Sequence, residues 1–266
     1  MGGAFTAVAD DQSAFYWNPA GIALGSILSA GFYTGQDDRS VGAGGVSDGA
    51  TGLSLGYTFM GVAFTGYSHD EDFDGGDGAL DTFDTAISLL HSLPLDNLIL
   101  GANVHFLRGT THAMTEVVSH SWDVDLGVMY EIQQRLRIGL MLRSLREARF
   151  VVEGGGERRL PRHARLGVSL RLPADALLAA DFDVSSQQEG SHRYRELSFG
   201  GEKGLFGGRL YARGGLRIET GTTDGLRPGF SAGAGVSIWR LLLEGAYRGA
   251  SGGRDDAAWF GVTLAP

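Results

Sequence analysis

The chain has 266 residues, of which 43 are glycine, about 16% against a usual share of about 7%, and none is cysteine. The lack of cysteine excludes a disulfide scaffold, a thiolate metal site and a cysteine nucleophile. A formal net charge of −9 argues against non-specific nucleic-acid binding, so no nucleic-acid partner is expected.

Residues 1–26 form a first unit, because they do not alternate between apolar and polar positions. Asp10, Asp11 and Ser13 can cap a short helical turn over 14–17. Asn18 precedes a proline and is therefore pushed out of helical geometry, which predicts a turn. Small residues suit close packing in a confined space. The segment is predicted to be either an ordered cap or a plug for the second unit, residues 27–266.

Period-two alternation dominates residues 27–266 and predicts β-strands. Between Trp122 and Tyr130, for example, apolar residues share one face, and Asp123 and Asp125 share the other. The predicted strands span 27–34, 50–58, 60–68, 82–91, 97–107, 119–131, 134–145, 162–172, 176–185, 194–203, 208–218, 229–238, 240–248 and 257–265.

The predicted connections alternate in length along the chain. Long ones such as 35–49, 69–81, 146–161 and 219–228 follow the odd strands, and short turns follow the even strands. This rhythm is typical of an outer-membrane barrel and has no counterpart in a soluble sandwich. We therefore predict an all-β fold, a 14-stranded antiparallel transmembrane β-barrel. The even strand number would place both termini in the periplasm.

Aromatic residues on the apolar face agree with a membrane location. Trp122 and Tyr130 are eight residues apart, about 26 Å along a strand and about 20 Å along the membrane normal after tilt. That separation matches two aromatic girdles. The bacterial outer membrane is the predicted location, and its lipid is an expected partner.

The polar face of the predicted strands is heavily charged. It can hold either cross-strand ion pairs that fill the interior, or a charged permeation path or anion-selective constriction. The luminal charge ladder is predicted to contain Asp123, Asp125, Arg135, Arg137, Arg165, Arg171, Asp181, Asp183, Arg209 and Arg213, with Arg143, Arg217, Arg248, Glu196, Glu202 and Glu244 on the same face.

The acidic stretch 70–81 has calcium-loop spacing. Asp70, Asp72 and Asp74 stand at loop positions 1, 3 and 5, a glycine follows, and Asp81 stands at position 12. The alternative is a solvated acidic loop, since position 12 lacks the usual glutamate and no flanking helices are expected. Calcium is the one cofactor that the sequence suggests.

No enzyme is predicted. Gly52-Leu53-Ser54-Leu55-Gly56 matches the hydrolase pattern G-x-S-x-G, but alternation runs through it without the strand-to-helix elbow that this motif needs. His105 and His163 are predicted to face the interior. A lipid-modifying barrel that uses one of these histidines with a serine is the enzymatic alternative.

The N-terminal segment resembles the FadL-like superfamily of outer-membrane barrels, and is most similar to its PorV/PorQ group. The resemblance rests on residues 2–11, Ala14 and the run Tyr16-Trp17-Asn18-Pro19-Ala20-Gly21. It implies a 14-stranded barrel with residues 1–26 as a luminal hatch. The hatch and ligand-contact residues that it implies are Phe5, Asp10, Asp11, Tyr16, Trp17, Asn18, Pro19 and Ala20.

The function that this resemblance implies is passive transport or binding of small, hydrophobic compounds. Two alternatives stay open. A PorV/PorQ-like barrel would serve type IX secretion by holding secreted proteins at the outer membrane, and a third role is purely structural. The expected partner beyond lipid is accordingly a small hydrophobic ligand or a secreted protein.

Overall fold

The alternating segments form β-strands in a computed structural model of the chain. The structure describes residues 1–41, 44–71, 80–112, 116–151, 157–189, 192–222, 225–250 and 255–264. Within these residues, no helix is long and apolar enough to cross a membrane. The helical elements are α1 (Ala14–Trp17) and a 3-10 helix (Pro19–Leu24).

The strands follow in chain order. They are β1 (Leu28–Val41), β2 (Gly44–Tyr57), β3 (Met60–Glu71), β4 (Leu80–Leu95), β5 (Leu98–His112), β6 (Glu116–Ile132), β7 (Leu136–Arg143), β8 (Arg149–Val151), β9 (Glu157–Arg159), β10 (His163–Leu172), β11 (Ala176–Asp183), β12 (Gln187–Glu189), β13 (His192–Leu205), β14 (Leu210–Thr222), β15 (Gly225–Ile238), β16 (Leu241–Ala250) and β17 (Asp255–Leu264).

Within the described residues, fourteen of these strands close into one antiparallel barrel. Strands β1 to β7 pair in sequence, followed by β10, β11 and β13 to β17. Pairing of β1 with β17 and of β11 with β13 completes the ring. Strand β12 extends the β13 hairpin, and β8 and β9 form a separate hairpin. The predicted all-β, 14-stranded antiparallel barrel is confirmed.

Register gives the barrel an apolar outward face. Leu53 pairs with Phe64, Phe64 with Ile87, Ile87 with Phe106 and Phe106 with Trp122, and all five side chains are exposed. On the opposite face of the same strands, Ala63, Ser88 and Asp123 are buried. The wall therefore has apolar side chains outside and small or polar side chains inside, as its alternation predicted.

The two rims differ. Six short turns join β2–β3, β4–β5, β6–β7, β10–β11, β13–β14 and β15–β16, and β1 begins and β17 ends at this rim. Thr58, Asp96 and Trp239 adopt positive φ of 55°, 52° and 63°, as tight hairpin turns require. The opposite rim carries the longer hairpins.

The predicted long loops were wrong in extent. Most of 35–49 and most of 219–228 belong to strands, residues 69–71 and 80–81 do as well, and 146–161 contains the β8–β9 hairpin. The reason is that polar and glycine-rich residues can continue a hydrogen-bonded ladder after the apolar alternation stops. Only the part of each hairpin with apolar alternation was predicted as strand.

The interior core lies between the N-terminal segment and the wall. Ala9, Ala14, Ala20 and Ile22 of the segment form one buried cluster with Leu90, Ile99 and Met129 of β4, β5 and β6. Phe5, Phe15 and Trp17 pack against this cluster. Residues 1–26 thus lie against the inner face of the barrel.

Candidate functional site

Glycines of the wall let the backbone of the N-terminal segment approach closely. A Cβ on Gly101 would lie 2.2 Å from the Ala20 nitrogen, and one on Gly139 would lie 2.5 Å from the Thr6 oxygen. Three pairs of these glycines face each other across neighbouring strands, namely Gly101–Gly127, Gly139–Gly167 and Gly200–Gly215. Each pair leaves the inner face of the wall without side chains at a point where the segment packs against it.

Asn18 joins the segment to itself and to the wall. It is fully buried, and its Nδ2 donates to the carbonyl oxygens of Thr6 at 2.8 Å and Val128 at 3.3 Å. Its Oδ1 accepts the N–H of Ala20 at 3.1 Å. Pro19 follows as the first residue of the 3-10 helix, where it has no N–H to satisfy. The Asn-Pro-Ala sequence therefore caps this helix and fixes its position.

Wall side chains hold the first nine residues through backbone groups. Asp181 accepts the N–H groups of Phe5 at 2.9 Å and Thr6 at 2.8 Å. Ser169 Oγ donates to the Ala7 oxygen at 2.9 Å, and Arg165 donates to the Gly3 oxygen at 3.3 Å. These bonds satisfy buried main-chain groups that have no secondary-structure partner.

Aromatic residues of the segment meet in one place. The rings of Phe5 and Trp17 are 5.7 Å apart, and those of Tyr16 and Trp17 make an edge-to-face contact at 4.9 Å. Tyr16 remains half exposed, with the Arg143 guanidinium 4.2 Å from its ring. Arg143 also donates to the main-chain carbonyl oxygen of Tyr16. Aromatic rings and a guanidinium group therefore line the segment where Tyr16 stays accessible.

The two aspartates of the segment differ in role. Asp11 accepts the N–H of Ser13 at 2.8 Å and so shapes the entry to α1, whereas the Ser13 side chain makes no capping bond. Asp10 lies 3.5 Å from Arg171 and 3.8 Å from Arg137, both on the wall. Burial inside the barrel, reinforced by neighbouring Asp11, raises the pKa of Asp10 to about 6.

Charged side chains inside the barrel form separate groups rather than one ladder. In the first group, Arg165 contacts Asp183 at 2.7 Å and Glu196 at 3.1 Å, and all three are buried. Arg213 joins Glu202 at 2.5 Å and also pairs with Glu244. Arg137 pairs with Glu131 at 2.7 Å. Most of these pairs join neighbouring strands, so they stabilise the register of the wall.

Several residues of the predicted ladder lie elsewhere. Arg135 and Arg209 are exposed in short turns, because the alternation that placed them inside runs past the strand ends. Asp123 is buried but accepts backbone N–H groups of Arg146 and Ala148, both at 3.0 Å, and so anchors the chain after β7. Arg171 is half exposed beside Asp10.

A hydrogen-bonded relay of serine, histidine and aspartate crosses β4, β5 and β6. Ser88 Oγ is 2.7 Å from His105 Nδ1, and His105 Nε2 is 3.0 Å from Asp125 Oδ2. Ser88 is buried in mid-strand, where backbone amides already bond to neighbouring strands. Asp125 is therefore a hydrogen-bond partner of His105 in this group.

The calcium prediction falls largely outside the described residues, which omit Asp72 and Asp74. Asp70 and Asp81 face each other in the β3–β4 ladder. Within the part of the chain that the structure describes, no group of three or more metal-ligating side chains is present. A surface depression of about 840 Å³ on β1, β2, β3 and β17, bordered by Thr34, Thr51 and Phe260, lies apart from the segment.

The sequence analysis missed the wall residues that receive the segment. Asn103 Nδ2 donates to the Phe15 oxygen at 3.1 Å, and the Gly2 nitrogen donates to Ser231 Oγ at 2.6 Å. The paired glycines offered a signal, since strand register places glycine beside glycine on the inner face. The polar contacts offered none, because they depend on the path of the segment.

Comparison with known proteins finds similar structures but no protein that is similar in sequence. No protein-family model matches the chain, and no curated protein sequence matches it. The structure is similar to that of a Pseudomonas aeruginosa FadL homologue (TM-score 0.71, 14% identity, 98% of this chain and 95% of the other). It is also similar to the Ralstonia pickettii toluene transporter TbuX (TM-score 0.72, 14% identity, 100% and 96%) and the Pseudomonas putida toluene transporter TodX (0.64, 10%, 99% and 96%). At these identities the likeness shows the fold alone, which is that of a FadL-like barrel.

Proposed function

We propose that this chain is an outer-membrane barrel that passes or binds small hydrophobic compounds, with residues 1–26 as its hatch. The observation that supports this most directly is the position of the N-terminal segment across the barrel interior, held by buried Asn18 and received by paired glycines. A barrel closed in this way transmits a solute only when the segment moves or the solute passes beside it.

The outward apolar row supports a membrane location. Leu53, Phe64, Ile87, Phe106 and Trp122 would be costly to leave in water and suit the lipid-facing band of a barrel. The short-turn rim, where β1 begins, would then face the periplasm. The likeness to toluene transporters supports hydrophobic cargo at the level of the fold.

The aromatic side chains at the segment support a hydrophobic cargo more locally. Tyr16 is half exposed, Trp17 meets it edge to face, and Phe5 packs on Trp17. Such rings give an apolar solute a contact surface. No described contact favours the PorV/PorQ-like role in type IX secretion over this one, so that role stays a prediction.

Uptake by intact Gram-negative cells tests the proposal. N-phenyl-1-naphthylamine fluoresces after it passes the outer membrane, so its rate of signal increase reports entry. Cells that express the chain should take it up faster than cells without it, and Asn18→Asp should change the rate because it loosens the segment. Asn97→Asp, in an exposed turn, is the matched control. Equal rates in all four strains would overturn the transport proposal.

A further inference from the structure

Arginines cluster around the β8–β9 hairpin at the rim of the longer hairpins. Arg146, Arg149, Arg159 and Arg162 are all exposed there. Glu157 lies 3.0 Å from Arg159, and Glu147 lies 3.6 Å from Arg162. A locally positive surface therefore stands on a chain whose net charge is −9.

Two of these arginines oppose each other directly. Arg149 pairs with Arg159 in the β8–β9 register, and both point to the exposed side of the hairpin. Phe150 and Ala148, on the other side, are buried. Like charges opposite each other on neighbouring strands repel, and the single Glu157 carboxylate beside Arg159 offsets only one of the two positive charges.

The cluster touches the apolar outward face. The guanidinium of Arg146 lies 4.2 Å from the ring centre of Trp122 and donates to the Trp122 oxygen at 3.1 Å. Trp122 is the member of the outward apolar row that pairs with Phe106. Arginines therefore stand where the apolar band of the barrel meets the longer hairpins.

We propose that this cluster binds the phosphorylated headgroups of lipids in the membrane leaflet on that side. Guanidinium groups bind phosphate through two parallel hydrogen bonds, and a phosphate between Arg149 and Arg159 would remove their repulsion. The acyl chains of the same lipid would lie along Phe106 and Trp122. The inference rests on the proposed membrane location and is independent of transport.

Binding of diphosphorylated lipid A to the detergent-purified full chain tests this assignment, with native mass spectrometry as the readout. Arg149→Gln with Arg159→Gln should weaken lipid A binding about tenfold. Arg135→Gln with Arg209→Gln removes the same charge from exposed turns at the opposite rim and should leave binding unchanged. Arg146→Gln is a single variant with little effect on the hairpin ladder and should weaken binding less.

Two outcomes would overturn the lipid assignment. One is equal loss of lipid A from both double variants, which would indicate attraction by overall charge. The other is displacement of lipid A by inorganic phosphate at the same concentration, which would indicate a free-phosphate site. A heat-dependent gel shift checks that each variant forms a barrel. This test does not use uptake of the fluorescent amine, so a failure of the lipid assignment can be told apart from a failure of the transport proposal.

Discussion

The Cα of Gly101 faces the backbone nitrogen of Ala20 so closely that a Cβ at position 101 would lie 2.2 Å from it. That nitrogen is already bonded to Asn18 Oδ1 inside the barrel. Neither partner can yield at little cost, because one is a strand of the closed wall and the other is a capped helix start. The position of the segment therefore depends on residue 101 of the wall being glycine.

Gly101→Ala should displace the segment. Overpacking of this kind costs about 1–3 kcal/mol, and the segment is the part that can move. Since the chain has no cysteine, Ser13→Cys gives a single reporter whose buried position hinders maleimide. We expect faster labelling in Gly101→Ala. Gly261→Ala is the control, because its Cβ would meet nothing nearer than 3.8 Å. Equal labelling rates in the two variants would contradict the prediction.

Asn18→Asp should release the segment in a different way. The substitution turns a donor to the Thr6 and Val128 oxygens into an acceptor, so two buried carbonyl groups face a carboxylate oxygen. Leaving buried polar groups unpaired costs about 1–3 kcal/mol. Protease digestion of the segment in folded protein should become faster. Asn97→Asp, in an exposed turn, should digest as the parent chain does, and protection of Asn18→Asp equal to that control would count against the prediction.

The barrel could be predicted because its wall repeats one rule, whereas the site could not. Alternation around Trp122 and Asp123 says which side chain points inward without knowledge of any other strand. The same rule placed Arg135 and Arg209 inside, because alternation does not reveal where a strand ends. The extension of β1 to Val41 and of β3 to Glu71 was likewise missed, since these parts of the ladders are held by backbone bonds.

The contacts of residues 1–26 depend on distances along the chain that no local pattern encodes. The Asp181 carboxylate accepts a hydrogen bond from the N–H of Phe5, 176 residues away in the sequence. Asn103 donates one to the carbonyl oxygen of Phe15, 88 residues away. The Asn18-Pro19 turn was predictable because it is local. The aspartate and amide partners in the wall were visible only as inward-facing polar residues, with nothing to say which would pair with the segment.

Arg165→Met should strongly destabilise the barrel. Arg165 pairs with Asp183 and Glu196 inside the wall, and removal of one partner from a buried pair costs about 3–5 kcal/mol. The midpoint of unfolding in urea, followed by the heat-dependent gel shift, should fall. Arg209→Gln, at an exposed turn, should change stability by less than about 0.5 kcal/mol. A midpoint for Arg165→Met that matches Arg209→Gln would show that the pairs are replaceable.

Docking of the N-terminal segment should depend on pH through Asp10. Its pKa is raised to about 6 by burial and by Asp11, and Arg137 and Arg171 oppose the rise without cancelling it. Glu202 adds a smaller raising effect. A carboxyl whose pKa is higher in the docked state binds its proton more tightly there, so docking is favoured as pH falls. The effect should develop between pH 7 and pH 4, as Asp10 becomes neutral.

Maleimide labelling of Ser13→Cys at a series of pH values measures this dependence. The labelling rate of an unfolded sample at each pH corrects for the change of thiol reactivity with pH. Labelling should slow as the pH falls through about 6. Asp10→Asn should flatten the profile, because the amide does not titrate and keeps the shape of the side chain. Asp96→Asn, in an exposed turn, should retain the parent profile. Should labelling instead accelerate towards acid pH, the loose pairs with Arg137 and Arg171 would outweigh burial, and the ionised form of Asp10 would be the one that holds the segment in place.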